Sequence, residues 1–262
     1  MLNKRLMVIG IGGLVVLAVA AVFAFNLLTT NNTAPSGALT AIPVVIKTAT
    51  PGASASAAAT TDAGATQPAA ASGTAAPTSA AASSATVYQI IPEQSKVSFT
   101  ISEDLNGSPN TVVGTTNLVA GQLALDSHDL SQTQVGTIQV DARGLATDNS
   151  RRNGAIRNFI LSTNQYEYIT FTPKSVSGFS GAGQVGQTYT FQLTGDLTIR
   201  NVTKSVTFEV TAQGTSATQI SGSAKTTVNR GDYNLTIPSV PNVANVGEQV
   251  GLQIDFVANS AG

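Results

Sequence analysis

Residues 185–199 alternate between apolar side chains at odd positions and mostly polar side chains between them. The apolar set is Val185, Tyr189, Phe191, Leu193, Leu197 and Ile199. Successive side chains of a β-strand point to opposite faces, so this two-residue period predicts one long strand with a single buried face. Gly195 falls inside the series and predicts a bend, because glycine within a strand often marks a bulge or a corner.

Shorter segments with the same alternation fill the sequence from residue 87 onward. They lie at residues 95–101, 119–125, 137–140, 206–210, 220–228 and 250–256. Around eight to ten antiparallel strands with one apolar face predict an all-β fold, either a sandwich or a barrel. A sandwich fills the space between two sheets, whereas an eight-stranded barrel is wide enough to hold one small ligand. Periodicity alone leaves both architectures open.

Residues 147–173 interrupt the strand pattern. Three arginines, Arg151, Arg152 and Arg157, lead into the apolar run of residues 159–161. This composition predicts a turn of helix or a structured lid, followed by a strand at residues 168–172. An insert of this kind at the mouth of a barrel is where a binding site is expected.

Composition divides the chain into three parts. Lys4 and Arg5 precede an uncharged run at residues 6–28, which predicts a transmembrane helix, with a cleaved signal peptide as the alternative. The positive flank predicts a cytoplasmic amino terminus and a folded part outside the cytoplasm, either membrane-bound or, after cleavage, secreted or periplasmic.

Residues 29–86 are rich in Ala, Ser, Thr and Pro and predict a disordered linker with a reach of about 40 Å. Bulky apolar side chains occur there mainly at residues 38–46. The predicted folded domain is residues 87–262.

Several function classes find no support in the residues. From residue 87 onward the chain has 10 basic and 13 acidic side chains, so no basic field for nucleic acid exists. The chain has no cysteine and one histidine, His128, which lies between Asp126 and Asp129. These three are interpreted as a solvated loop, because a transition-metal site normally has more nitrogen or sulfur ligands. We therefore predict no catalytic residues, no metal and no cofactor.

Ordered motifs across residues 88–258 resemble the YceI-like family. The motifs are YQIIPEQSKVSFTI at 88–101, VVGTT at 112–116, YEYITF at 166–171, GDLTIRNVTKSV at 195–206, VNRGDYNL at 228–235 and VGEQVGLQIDFVA at 246–258. The resemblance implies an extended lipocalin-like antiparallel β-barrel that binds a polyisoprenoid, an isoprenoid quinone or a fatty acyl chain. It implies a carrier or sequestering protein rather than an enzyme.

A lipid tunnel predicts two sets of site residues. Its lining would include Phe99, Phe159, Phe171, Tyr189, Phe191, Leu197 and Phe208. Its headgroup would meet arginines, because guanidinium binds phosphate in a bidentate manner, and the candidates are Arg151, Arg152, Arg157 and Arg230. The aromatic side chains could instead fill a core, and the arginines could be solvated or pair with Asp148, Glu167 or Asp232.

Two positions depart from the family pattern. Arg152 is followed by Asn153 where the family usually has an Arg-Asp pair, and Tyr166 is followed by Glu167 where it usually has Tyr-Pro. How this lid is fastened is therefore open. Two other functions also remain open: an interaction module with a filled barrel, and an enzyme acting on a bound lipid. Monomer and homodimer are both compatible with the sequence.

Overall fold

A computed structural model describes residue 37, residues 39–46 and residues 85–261. Within them, thirteen strands form one antiparallel sheet, and the helical segments are short. The strands are β1 (Thr86–Ile90), β2 (Lys96–Leu105), β3 (Ser108–Thr116), β4 (Val119–Ala120), β5 (Gln122–Leu125), β6 (Gln134–Val135), β7 (Ile138–Asp141), β8 (Tyr168–Ser177), β9 (Thr188–Ile199), β10 (Val202–Ser216), β11 (Gln219–Asn229), β12 (Val243–Ala244) and β13 (Gln249–Ser260). Helix α1 (Ser150–Ala155) continues into a π-helical turn (Ile156–Ile160), and 3-10 turns lie at Pro92–Gln94, Leu130–Gln132, Ala142–Gly144 and Arg230–Tyr233.

The prediction of an all-β antiparallel fold is confirmed. The long strand expected at residues 185–199 is β9, which pairs with β10 along its whole length. Its apolar face is buried at Phe191, Leu193, Leu197 and Ile199, as the alternation requires. Val185 precedes the strand and is 63% exposed, so the strand begins three residues later than the two-residue period predicted.

Gly195 lies where β8 changes register, between Pro173 and Ser175. A Cβ atom at Gly195 would lie 2.5 Å from the carbonyl oxygen of Thr172 and 2.8 Å from Cζ of Phe171. No side chain fits there without moving backbone, so glycine allows the Phe171 ring to pack directly against β9.

The sheet is strongly curled. Its strands follow the order β4-β7-β8-β9-β10-β11-β13-β1-β5-β6, and β4 and β5 are separated by Gly121 alone. One short stretch of chain therefore pairs with β7 on one side and with β1 on the other. Strand β13 pairs with β1 through residues 258–260 and with β2 through residues 251–255, and β2 pairs in turn with β3. The curl brings the apolar faces of these strands together on the inside.

Two buried clusters hold the interior. The larger cluster extends from Phe171 and Phe208 to Leu161 and Tyr233 and includes the inner face of β9. In the smaller cluster Tyr88, Ile90, Val119, Val140, Ile220 and Ala258 pack together.

The predicted membrane anchor at residues 1–28 lies outside the described residues. Among those that are described, no helix is both long and apolar enough to cross a bilayer. The first strand begins at Thr86, one residue before the predicted domain boundary. Residues 39–46 of the predicted linker also pack near the sheet, with Ala41 7% exposed.

Candidate functional site: an apolar cavity beneath a helical lid

The inner face of the curled sheet encloses a cavity of about 540 Å³. Strands β2, β3, β7, β8, β9, β10, β11 and β13 contribute its walls, while the α1 segment and the loop at residues 235–246 also line it. The polar lining residues are Ser98, Glu103, Asn149, Arg151, Arg152, Arg230 and Gln253, and all others are apolar. A volume of this size is typical of a site for a small ligand, since such pockets usually measure about 300–1,000 Å³.

Strand alternation explains why the walls are apolar. Every second residue of β2 and β13 faces the cavity, namely Val97, Phe99, Ile101, Val250, Leu252 and Ile254. Phe99 lies opposite Gly114 of β3, and a Cβ atom at Gly114 would overlap the Phe99 ring. The glycine of the VVGTT motif therefore makes room for an aromatic wall residue.

Four of the seven predicted lining residues line the cavity: Phe99, Phe171, Leu197 and Phe208. Phe171 and Phe208 come from β8 and β10, and their rings meet edge to face with centroids 4.9 Å apart. Ala224 of β11 also lines the cavity, in agreement with its predicted inward position between Ile220 and Val228. Whether these side chains touch a lipid stays a prediction.

The other three predicted lining residues lie outside the cavity lining. Phe159 is 68% exposed, because the π-helical turn buries Ile156 and leaves residue 159 on its outer side. Phe191 stacks on Phe179 with ring centroids 4.4 Å apart, and Tyr189 meets the same Phe179 ring edge to face. Both β9 residues lie beyond the cavity, at a point where an aromatic side chain from the preceding loop fills the interior.

The segment predicted as a lid is helix α1 with its π-helical turn, and α1 begins at an asparagine cap. The side chain of Asn149 accepts hydrogen bonds from the backbone N–H groups of Arg151 and Arg152, which satisfies two donors that have no partner within the helix. The side chain of Asn153 accepts hydrogen bonds from the N–H and the hydroxyl of Thr147, each at 2.7 Å. Asn153, at the position where the family usually has an aspartate, therefore fastens the lid to Thr147 through neutral hydrogen bonds.

Arg152 ties the lid to the sheet. Its guanidinium lies 2.7 Å from Asp148 and 2.9 Å from Glu103 of β2. Glu103 is only 7% exposed and also accepts a hydrogen bond from Asn110. Pairing with Asp148 was one of the predicted alternatives, whereas Glu103 was not foreseen. Arg152 therefore lines the cavity with its charge already balanced.

The other predicted headgroup residues differ in position. Arg151 lines the cavity, and its side chain has no ion-pair partner among the described residues. Arg157 lies outside the cavity lining. Arg230 lines it, but its guanidinium lies 3.2 Å from Glu248 and donates to the carbonyl oxygens of Leu235 and Gly247. The pairing of Arg230 with Asp232 considered from the sequence is wrong, because the guanidinium turns toward the far end of the loop.

Arg230 thus fastens both ends of a loop that strand alternation does not predict. This loop contributes Leu235, Ile237, Pro238, Val240, Pro241, Val243 and Val246 to the cavity lining. Its sequence is rich in apolar residues although it lies between two strands, and that unusual composition is the signal that could have revealed it. Prolines at 238 and 241 break any regular period, so alternation did not detect it.

The second departure from the family pattern has a structural role behind the lid. Glu167 pairs with Arg143, whose guanidinium also makes a bidentate contact with Asp141 at 2.9 and 3.0 Å. Burial opposes the charge on Arg143, but the hydrogen bond and the charges of Asp141, and then of Glu167, outweigh it and raise the pKa of Arg143. This group joins the end of β7 to the chain entering β8.

His128 lies away from the cavity in an exposed turn. Its side chain is 86% exposed and its Nδ1 lies 3.4 Å from Asp126, while Asp129 caps the following 3-10 turn through Ser131. Within the described part of the chain, no group of three or more His, Asp or Glu side chains is arranged to hold a metal ion.

Comparison with known proteins agrees with the fold. The YceI-like domain matches residues 88–258. A polyisoprenoid binding domain from Saccharophagus degradans, implicated in plant cell wall breakdown, is 15% identical and superimposes with a TM-score of 0.53, covering 66% of this chain and 98% of that domain. BcnA from Burkholderia cenocepacia is 18% identical with a TM-score of 0.52, covering 65% of this chain and 99% of its own. No curated protein matches the sequence.

Proposed function

The chain belongs to the YceI-like domain family, and on that premise we propose that its folded domain binds one long-chain amphipathic lipid. The ligand would be a polyisoprenoid, an isoprenoid quinone or a fatty acyl lipid, held for transport or sequestration. The observation that carries the proposal is the cavity of about 540 Å³ with an almost wholly apolar lining. The similarity of the fold to a polyisoprenoid binding domain supports the same ligand class.

The curled sheet suits a lipocalin-like role. Strands β4 and β5 follow one another across Gly121 and pair with β7 and β1, so the sheet curls around the cavity as a half-barrel. An apolar chain inside this curl is removed from water, which favours binding by about 0.8 kcal/mol for each buried methylene. The tail therefore supplies affinity without any directional contact, as a carrier for varied lipids requires.

The charges around the cavity favour a headgroup with little charge. Three lining arginines, Arg151, Arg152 and Arg230, are matched by three carboxylates, and those of Glu103, Asp148 and Glu248 pair with Arg152 and Arg230. Only the guanidinium of Arg151 is left to meet a ligand oxygen. We therefore expect an alcohol, a quinone carbonyl or a single phosphate to fit better than a diphosphate.

Equilibrium binding of farnesol, farnesyl phosphate and farnesyl diphosphate tests this function. The parent chain should bind the alcohol and the monophosphate, and Arg151→Gln should weaken binding of the monophosphate by about 10- to 150-fold, since a hydrogen bond to a charged group contributes about 1.5–3 kcal/mol. Arg157→Gln is the matched control outside the cavity and should change nothing. If the diphosphate bound more tightly than the other two ligands, the assigned headgroup would be wrong, but lipid binding would stand. Failure of all three to bind would contradict lipid binding and favour the interaction module.

We further propose that the domain works outside the cytoplasm on a single membrane anchor. The support is the pair Lys4 and Arg5 before an uncharged run of 23 residues. Protease added to intact cells, or to spheroplasts where an outer membrane blocks access, should remove the domain. Protection of the domain while an external marker is digested would reverse the orientation, and mature chains beginning near Asn26 would replace the anchor by a cleaved signal.

A further inference from the structure

One stretch of the linker lies against the folded domain. In residues 39–46 the side chains of Leu39, Ala41, Val44 and Ile46 are buried or half-buried, while those between them are exposed. Ala41 is 7% exposed and Val45 is 77% exposed. The alternation shifts by one residue at Pro43, as an extended segment with one bulge would do. One face of this segment is therefore packed, although its surroundings in the sequence are rich in alanine, serine and threonine.

Val44 of the packed face meets the β5–β6 edge of the sheet. The backbone N–H of Val44 donates to the side-chain oxygen of Gln122 at 3.1 Å, and the N–H of Gly136 donates to the backbone oxygen of the same Gln122 at 2.8 Å. The Cβ atom of Val44 lies 3.3 Å from where a Cβ atom of Gly136 would be. Gly136 directly follows β6, which ends the strand order. An edge strand exposes unpaired backbone groups, and covering it prevents pairing with another chain.

We propose that residues 39–46 are a docking segment that fastens the linker to the β5–β6 edge and so shortens the tether between the membrane and the lipid-binding domain. The tether length rests on the proposed membrane anchor, whereas the docking itself does not. From the end of the apolar run, residues 29–38 can span at most about 35 Å, compared with about 200 Å for residues 29–85. The docked domain stays near the bilayer from which a lipid ligand would be drawn.

The composition of the segment fits this role. It is the main apolar stretch of the linker. Only residues 29–38 separate it from the predicted anchor, whereas the longer stretch of residues 47–84 connects it to the folded domain. Pro43 has no N–H group and is exposed, so the outer side of the docked segment offers a poor edge for a further strand.

The absence of cysteine permits a direct test of docking in the full-length chain. We expect Val44→Cys with Gly136→Cys to form an intramolecular disulfide, because the Cβ separation of 3.3 Å needs to grow by only a few tenths of an ångström to enter the range of natural disulfides, about 3.5–4.5 Å. Val45→Cys with Gly136→Cys is the matched control, since Val45 is exposed, and should stay reduced. A site-specific protease sequence inserted after Asp62 then separates the two halves. Without reductant, the halves should remain linked in the first variant only.

Equal crosslinking of both pairs, or of neither, would overturn the docking. The shortening of the tether is tested by energy transfer from a dye on the domain to acceptor lipids in membranes that carry the full chain. Ala41→Asp places a carboxylate on the packed face and should lower the transfer, whereas Val45→Asp should leave it unchanged. If Ala41→Asp and Val45→Asp both left the energy transfer unchanged, while the disulfide between residues 44 and 136 still formed in its own variant, the shortened tether would be refuted. Extraction of the chain by alkaline carbonate in the same membranes would instead reveal failure of the proposed anchor.

Discussion

Filling the cavity from Ala224 discriminates a hollow interior from a solid one. Ala224 is 7% exposed, lies opposite Val210 of β10 and Ile254 of β13, and lines the cavity. In a close-packed core, Ala224→Phe would force neighbouring side chains out of their rotamers, at about 1–3 kcal/mol. The cavity of about 540 Å³ can accept a phenyl ring instead.

The two cases differ measurably in the melting temperature. For a domain of this size 1 kcal/mol shifts the melting temperature by about 2–4 °C, so overpacking would lower it by roughly 2–12 °C. We expect Ala224→Phe to lower it by less than about 2 °C. The same substitution should displace the lipid tail, so farnesol binding should be lost or strongly weakened.

A matched control lies on β13. Ala258 is 0% exposed and packs with Tyr88 and Ile90 in the smaller buried cluster, outside the cavity lining. Ala258→Phe should therefore show the full loss of melting temperature that overpacking causes. Differential scanning calorimetry on both variants decides the question. An equally large loss in Ala224→Phe would refute the hollow interior and favour the filled module.

Further substitutions test other parts of the account. Arg152→Gln removes a partner of the buried Glu103 and should destabilise the domain by about 1–3 kcal/mol in urea unfolding; no loss would mean that the lid is held elsewhere. Gly195→Ala should lower the melting temperature because its Cβ has no space, and an unchanged melt would refute the close contact. Burial raises the pKa of Tyr233 to about 12, so only the unfolded state ionises between about pH 10 and 12 and stability falls as the pH rises through that window. Tyr233→Phe should flatten that fall in thermal melts, and an unaltered slope would contradict the assignment. A chain of residues 85–262 should keep a cooperative melt and the circular dichroism of a β protein, since all the described strands lie within it; an aggregated product would move the domain boundary.

Alternation predicted the strands because it is a local consequence of strand geometry. The inner face of β9 could be read directly, and so could the inward position of Ala224. The same period could not tell which inward aromatics face empty space. Phe171 and Phe191 have equivalent patterns, yet only Phe191 stacks on Phe179, which the irregular loop before β9 supplies.

The fate of the arginines depended on contacts across the sheet. Asp148 lies four residues before Arg152, and this spacing made it a visible partner, whereas Glu103 is 49 residues away in the sequence. Arg230 pairs with Glu248 rather than with the nearby Asp232, because the loop between Arg230 and Glu248 folds back. Sequence spacing therefore identified the charged region but not which charge remains available to a ligand.

Mass spectrometry of the organic extract from purified protein tests lipid binding most directly. The chain should be purified from cells that make isoprenoid lipids, beside Ala224→Trp as the variant with a filled cavity. We expect one long-chain lipid in near-equimolar amount from the parent chain and its loss from the variant. A parent chain that yields no lipid, and that also takes up none from vesicles containing isoprenoid alcohol or quinone, would contradict it.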